Sequence, residues 1–208
     1  MADHNKILLF RMTHLQNIPH ILEYGITHIN SPNRNPDYVP IGDSSLINAR
    51  DTFQLPNGKT LGNYIPFYFG SRMPMLYVIQ KGFNGVQATA AKDIVYCVSS
   101  AEAIEQLGLD YVFSNGHAVD VFTNFYSPDN IQNIDNLIDR KAINSKYWND
   151  ENDLDLKRRK EAEFLVAGDI EVNAVLGFVV YNVAAEQQIQ QMSGFQNKKL
   201  IVKPEYYF

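Results

Sequence analysis

Apolar residues along this chain fall into short runs separated by long polar stretches. The runs at 7–10, 64–69, 93–98, 111–113, 164–166, 175–181 and 200–202 have the length and β-branched or aromatic content of strands. Between them, NIPHILEYGI predicts a compact helix, with Asn17 as N-cap, Pro19 in the first turn, Ile18, Ile21 and Leu22 on one face and Gly25 as the stop. SRMPMLYVIQKG predicts a turn and a short helix. A capping box at Ser99–Ser100–Ala101–Glu102 opens AEAIEQL, which Gly108 closes. Ile131, Ile134, Leu137 and Ile138 form a helical core stripe, and a further helix is expected around 183–192. Two stretches lack apolar periodicity. Residues 28–60 predict a long loop with one helical turn near 45–50, and 140–156 a polar loop with Tyr147 and Trp148 as anchors. Irregular alternation without a βαβ rhythm predicts a mixed α/β or α+β domain on a strongly bent sheet.

Composition narrows the setting. The 208 residues, 45% hydrophobic and 20% charged, fit one domain with a full core or at most two small ones. No apolar run approaches a membrane span, MADHNK lacks a leader pattern, and the single Cys97 excludes an internal disulfide. A cytoplasmic location is the expectation. The net charge of −5 disfavours duplex DNA gripped through phosphates. It leaves room for single strands held by a local basic patch and by some of the 12 Tyr and 12 Phe.

GxGxxG after a strand, P-loop, HExxH and GxSxG motifs are all absent, and one cysteine with scattered histidines predicts no metal site. What remains is Arg11, Thr13, His14, Arg50, Tyr68, His117 and Glu163, polar residues at strand ends or in loops, as candidates for a cleft. Glu163 follows Glu161 in KRRKEAEFLV, at the mouth of an apolar run. Pattern alone favours a solvated charge ending a strand; the functional alternative is a carboxylate aimed by the sheet. Arg50 is either a solvated loop arginine or an anion clamp.

FRMTHLQNIPHILEYGI, LGNYIPFYFGSRMPMLYVI, FSNGHA and KRRKEAEFLV, in that order and approximate spacing, resemble the DarT family of toxins that ADP-ribosylate DNA. The resemblance covers nearly the whole chain and implies the α+β ADP-ribosyltransferase fold, on a strongly bent mixed sheet, over 1–208. It makes 28–60 the NAD-binding region and 141–162 the target-recognition loop with its adjoining helix. It implies Glu163 as catalytic glutamate and Arg50 as an arginine that contacts NAD and supports catalysis. Tyr68 and His117 would lie near the reacting base. Arg11, Thr13, His14 and Asn17 fall in the first NAD-binding block, the role of Arg11 being open because the family carries histidine or arginine there. Lys157, Arg158, Arg159, Arg72, Tyr147 and Trp148 are the candidates for contact with nucleic acid. The implied partners are NAD as substrate, single-stranded DNA with thymidine as acceptor, and a DarG-type macrodomain antitoxin. Guanine, RNA, protein or non-catalytic binding remain as alternatives. FGSRMPML and SNGHA depart from the commoner F.PRSPML and TD.HA forms, which bears on target preference.

Overall fold

The computed structural model describes residues 7–195 and 198–208; His4 and the rest of MADHNK lie outside the described residues. Eight strands form one mixed sheet: β1 (Leu8–His14), β2 (Tyr64–Tyr68), β3 (Ile94–Ser100), β4 (Tyr111–Ser114), β5 (Phe125–Tyr126), β6 (Glu163–Ala167), β7 (Gly177–Val180) and β8 (Lys199–Val202). Their order is β5-β4-β6-β2-β1-β3-β7-β8, antiparallel except for β7 and β8. Helices α1 (Ile18–Tyr24), α2 (Ser44–Thr52), α3 (Pro74–Lys81), α4 (Ala101–Gln106), α5 (Ile134–Leu137), α6 (Arg140–Asn144), α7 (Leu156–Lys160) and α8 (Val183–Gln190) connect and flank them. Among the described residues no helix is long and apolar enough to cross a membrane.

Side chains alternate across the sheet. Leu9, Ile65, Phe67, Val95, Cys97, Phe113, Phe164, Val166 and Phe178 face the main core. The opposite face carries two smaller clusters. One is built on Phe10, Ile94, Tyr96 and Val179 with Leu76, Ile79 and Tyr207; the other on Tyr64 and Leu165 with Leu55, Leu61 and Ala118. Tyr68 and Glu163 are cross-strand partners that alternate with the core-facing Phe67 and Phe164, and Tyr68 also packs against the edge of the main core. Burial pushes the Cys97 thiol up to about 12, so it is an inert core residue.

The sheet is weakest between β1 and β2. β1 pairs with β3 from Leu8 to His14, but with β2 only at Phe10 and Tyr68. Past that point Arg11 spans the two strands, its Nη1 donating to the Pro66 carbonyl at 3.0 Å.

Four local expectations are corrected. β1 continues to His14, because β3 pairs with it throughout, so Arg11 and Thr13 lie within a strand and not at its exit. Asn17 makes no capping bond; His14 Nδ1 accepts from the Gln16 N–H and caps the short 3-10 turn Leu15–Asn17. Ser100, not Ser99, caps α4 by accepting from the Ala103 N–H, while the Ser99 hydroxyl donates to Ala174 O. The stretch 140–156 opens with α6 and enters α7, so the loop proper is 145–155.

Candidate active site

β6 is flanked by β2 and β4, so the backbone of Glu163 is fixed on both sides. Its side chain is 1% exposed. A carboxylate so deep must be paired or neutralised, and Glu163 is paired twice. Oε2 accepts from Arg50 Nη1 at 2.9 Å and Oε1 from the Ala118 N–H at 3.0 Å. Its own N–H donates to Ser114 Oγ at 3.0 Å, and the Ser114 hydroxyl donates to Gly116 O at 2.7 Å. The solvated-charge reading of Glu163 is therefore wrong, and so is the solvated loop arginine. Arg50 sits in the last turn of α2, a helix started by Asp43, whose carboxylate accepts from the N–H groups of Ser45 and Leu46. A cation there suits the helix dipole. Arg50 Nη2 is buried and has no partner among the described residues. One nitrogen of the guanidinium, with its N–H donors, is thus left over inside the site.

The 115–123 segment presents the Ala118 N–H, and Arg158 holds that segment in place. Arg158 Nε and Nη2 donate to the Asp155 carboxylate at 2.7 and 2.8 Å, and Nη1 to Asn115 Oδ1 at 3.2 Å and Thr123 Oγ1 at 3.3 Å. Its carbonyl accepts from the His117 N–H at 2.9 Å. Gly116 makes room: a Cβ there would stand 2.3 Å from Arg158 Nη1. Ser114, Ala118 and Asp155 were not singled out in the sequence. Backbone donors leave no sequence signal, but the acid–base spacing of DLDLKRR carried that of Asp155.

His117 and Tyr68 border the same carboxylate. Burial lowers the His117 pKa, with the Glu163 charge opposing it. Burial and then the charges of Glu163 and Glu161 push the Tyr68 phenol well above its ordinary value. Near neutral pH the phenol is protonated and can donate, and the imidazole is biased toward its neutral form.

Of the residues expected to hold NAD, Thr13 and Asn17 are buried and joined, Asn17 Nδ2 donating to Thr13 Oγ1 at 2.9 Å. Asn17 also bonds both backbone groups of Val39, at 2.8 and 2.9 Å. The 28–60 region is thereby anchored where β1 and β2 part. His14 and Arg11, at and before the end of β1, are half-buried.

The expected nucleic-acid contacts divide. Lys157 is exposed and Tyr147 is 66% exposed. Arg158 is engaged as above, and Arg159 is ion-paired with Asp139, Asp153 and Asp155. Trp148 packs against Tyr77 and Phe208. Arg72 stacks on the Phe208 ring at 4.1 Å and donates to the Tyr207 carbonyl.

The model of the DarT family, described as ssDNA thymidine ADP-ribosyltransferase, matches residues 10–208. A DNA ADP-ribosyl transferase of Thermus sp. (strain 2.9) is 28% identical over 210 residues, 96% of this chain and 95% of the relative. One from Escherichia coli O127:H6 is 30% identical over 189 residues, 89% of this chain and 85% of the relative. The solved structure of Thermus sp. 2.9 DarT in complex with ADP-ribosylated ssDNA superposes with a TM-score of 0.85 at 26% identity, covering 98% of this chain and 97% of that one. The same Thermus protein in complex with NAD+ gives 0.77 at 26% identity, covering 100% and 99%. A DNA ADP-ribosyl transferase–DNA ADP-ribosyl glycohydrolase fusion protein of Thermosipho africanus is 26% identical over 201 residues, 96% of this chain and 49% of the fusion.

Proposed function

The chain belongs to the DarT family, and on that premise we propose that it transfers ADP-ribose from NAD to thymine in single-stranded DNA, releasing nicotinamide. The observation that carries this reading is the buried Glu163, aimed by β6 and held by Arg50 and the Ala118 N–H. As the bond to nicotinamide breaks, positive charge develops on the ribose. A fixed carboxylate accepting from the 2′-hydroxyl stabilises that charge more in the transition state than in bound NAD. Arg50 holds the carboxylate with Nη1 and offers the unpartnered Nη2 to NAD. Tyr68, as a protonated phenol, and His117, as an imidazole, orient the incoming base. Thr13, Asn17, His14 and Arg11, at the parting of β1 and β2, hold NAD under the 28–60 segment.

The acceptor base must be unpaired to expose its ring nitrogen, and the acidic net charge suits a single strand held locally. Lys157 and Tyr147 make those contacts in this reading. Arg158, Arg159 and Trp148 act through their present partners by fixing the shape of the 141–162 region, and Arg72 by holding the C-terminal residues on which Trp148 packs. The protein is then a single-domain cytoplasmic toxin. Its partner would be a macrodomain antitoxin of the DarG type, which the glycohydrolase half of the Thermosipho relative supports.

The test is incubation with NAD and single-stranded oligonucleotides of each base, with RNA and protein alongside, followed by mass measurement. A gain of one ADP-ribose on thymine DNA, lost in Glu163→Gln, is the expected result. Modification of guanine DNA, RNA or protein instead would replace the acceptor and keep the chemistry.

A further inference from the structure

The acidic pair of KRRKEAEFLV is only half accounted for. Glu161 is 6% exposed, yet among the described residues its carboxyl forms no hydrogen bond or ion pair. Its oxygens are not among the buried atoms left without a partner, so they open on solvent, and a carboxyl otherwise enclosed beside a paired one is placed to meet a transient partner.

Its position says which. Glu161 lies in the link between α7 and β6. Its neighbour Lys160 donates through Nζ to Ile143 O at 2.9 Å and Ser145 O at 2.8 Å, tying the link to the root of the 145–155 loop. Two residues on, Glu163 faces Tyr68, whose phenol feels the charge of both glutamates. Glu163 pairs with Tyr68 and Tyr68 with Phe10, whereas Thr13 lies further along β1, so Glu161 and the Thr13–Asn17 pair lie toward opposite ends of the strands. Glu161 is thus on the acceptor side of the catalytic carboxylate. Burial pushes its pKa up to about 7; Lys157 and Lys160 pull it down, and Glu163 pushes it further up. The group can take and release a proton near neutrality.

Resting on the reading of the chain as a thymine ADP-ribosyltransferase, we propose that Glu161 accepts the proton of the acceptor base. Thymine in DNA carries its one ring N–H at N3. As that nitrogen's electron pair forms the bond to the ribose C1′, the C1′–nicotinamide pair leaves on neutral nicotinamide. The N3 proton passes to the Glu161 carboxylate and from there to water.

The experiment compares wild type, Glu161→Gln and Glu161→Ala for transfer to a thymine oligonucleotide and for NAD cleavage without DNA. In both variants transfer is expected to fall by about 10²-fold or more, while NAD cleavage and NAD affinity stay within about twofold. The cleavage also reports a folded site. An oligonucleotide carrying 5-fluorouracil, whose N3–H is more acidic, should regain rate by a larger factor in Glu161→Gln than in wild type. The acidic limb of the wild-type kcat profile, near the pKa of about 7, should be missing from the variant. Unchanged transfer, or equal loss of transfer and cleavage without 5-fluorouracil rescue, overturns the proposal. A wild-type protein that cleaves NAD but leaves thymine oligonucleotides unmodified overturns the reading beneath it as well.

Discussion

Arg50 and Glu163, 113 residues apart, meet through one contact of 2.9 Å between Nη1 and Oε2, and the two ends of that contact are unequal. The arginine side chain is 15% exposed and the glutamate 1%. Removing the arginine leaves a buried carboxylate with one backbone donor; removing the glutamate leaves a cation within reach of water.

Arg50→Ala should cost about 3–5 kcal/mol of stability, the scale for breaking one side of a buried ion pair. Glu163→Gln keeps one oxygen to accept from one of the two donors and sets its amide NH2 against the other, in a site that no longer holds a buried charge, and should cost about 1–3 kcal/mol. Urea denaturation of the two variants checks the order; an equal or reversed order would mean that Arg50 does not compensate the buried charge.

Glu163→Gln should lower transfer by about 10³-fold, the upper range for losing one electrostatic stabiliser of a transition state. NAD affinity should change by less than about threefold, because in the proposed reaction the carboxylate would act chiefly after the bond to nicotinamide weakens. Single-turnover rates beside a direct NAD titration separate the two.

Lys157→Ala should weaken oligonucleotide binding and reduce the slope of log K against log salt by about 1. Arg158→Ala should leave that slope unchanged and lower kcat, since its guanidinium is spent on Asp155, Asn115 and Thr123. Binding isotherms at several salt concentrations would show a reduced slope in both variants if Arg158 instead touched phosphate.

Asn17→Ala removes the bonds to Thr13 and to both backbone groups of Val39 and frees the anchored segment. NAD affinity should fall by about tenfold, the equivalent of one net hydrogen bond lost from the bound state. A calorimetric titration measures it, and wild-type affinity would show that Val39 needs no anchor.

Glu161 should make the fold less stable as pH rises. Its folded pKa, about 7, lies above the ordinary carboxylate value of 4.5, so the native state holds the extra proton between those values. Stability is lost as pH climbs through that window and the carboxylate charges inside the protein. Glu161→Gln should therefore be more stable than wild type at pH 8, by up to about 3 kcal/mol, with the gap closing toward pH 5. His117, with its pKa lowered, works the other way: protonation as pH falls favours the unfolded chain. Denaturation midpoints of variant and wild type across pH 5 to about 8.5 would isolate the glutamate.

The strands were legible because their apolar runs match the sheet: the 64–69 run became Tyr64–Tyr68 and the 164–166 run became Glu163–Ala167. α2 read as a loop with one helical turn because it buries no residue and so carries no apolar stripe. Its cap at Asp43 and the tether through Arg50 take the place of that stripe. Arg158 and Arg159 looked like free basic surface because a run of cations is visible in sequence and the engagement of its members is not. The carboxylates that occupy them come from Asp155 and Asp153 nearby and from Asp139, the N-cap of α6, on the far side of the 145–155 loop.

The sequence by itself determined the class of the fold, the blocks that mark the family, and the candidacy of Glu163, since apolar spacing and residue identity are local properties of the chain. The tertiary structure alone decided the protonation and partnership of the site. Burial, the arm of Arg50, the Ala118 N–H and the solitary carboxyl of Glu161 depend on which distant segments share a low-dielectric space, and chain order does not encode that.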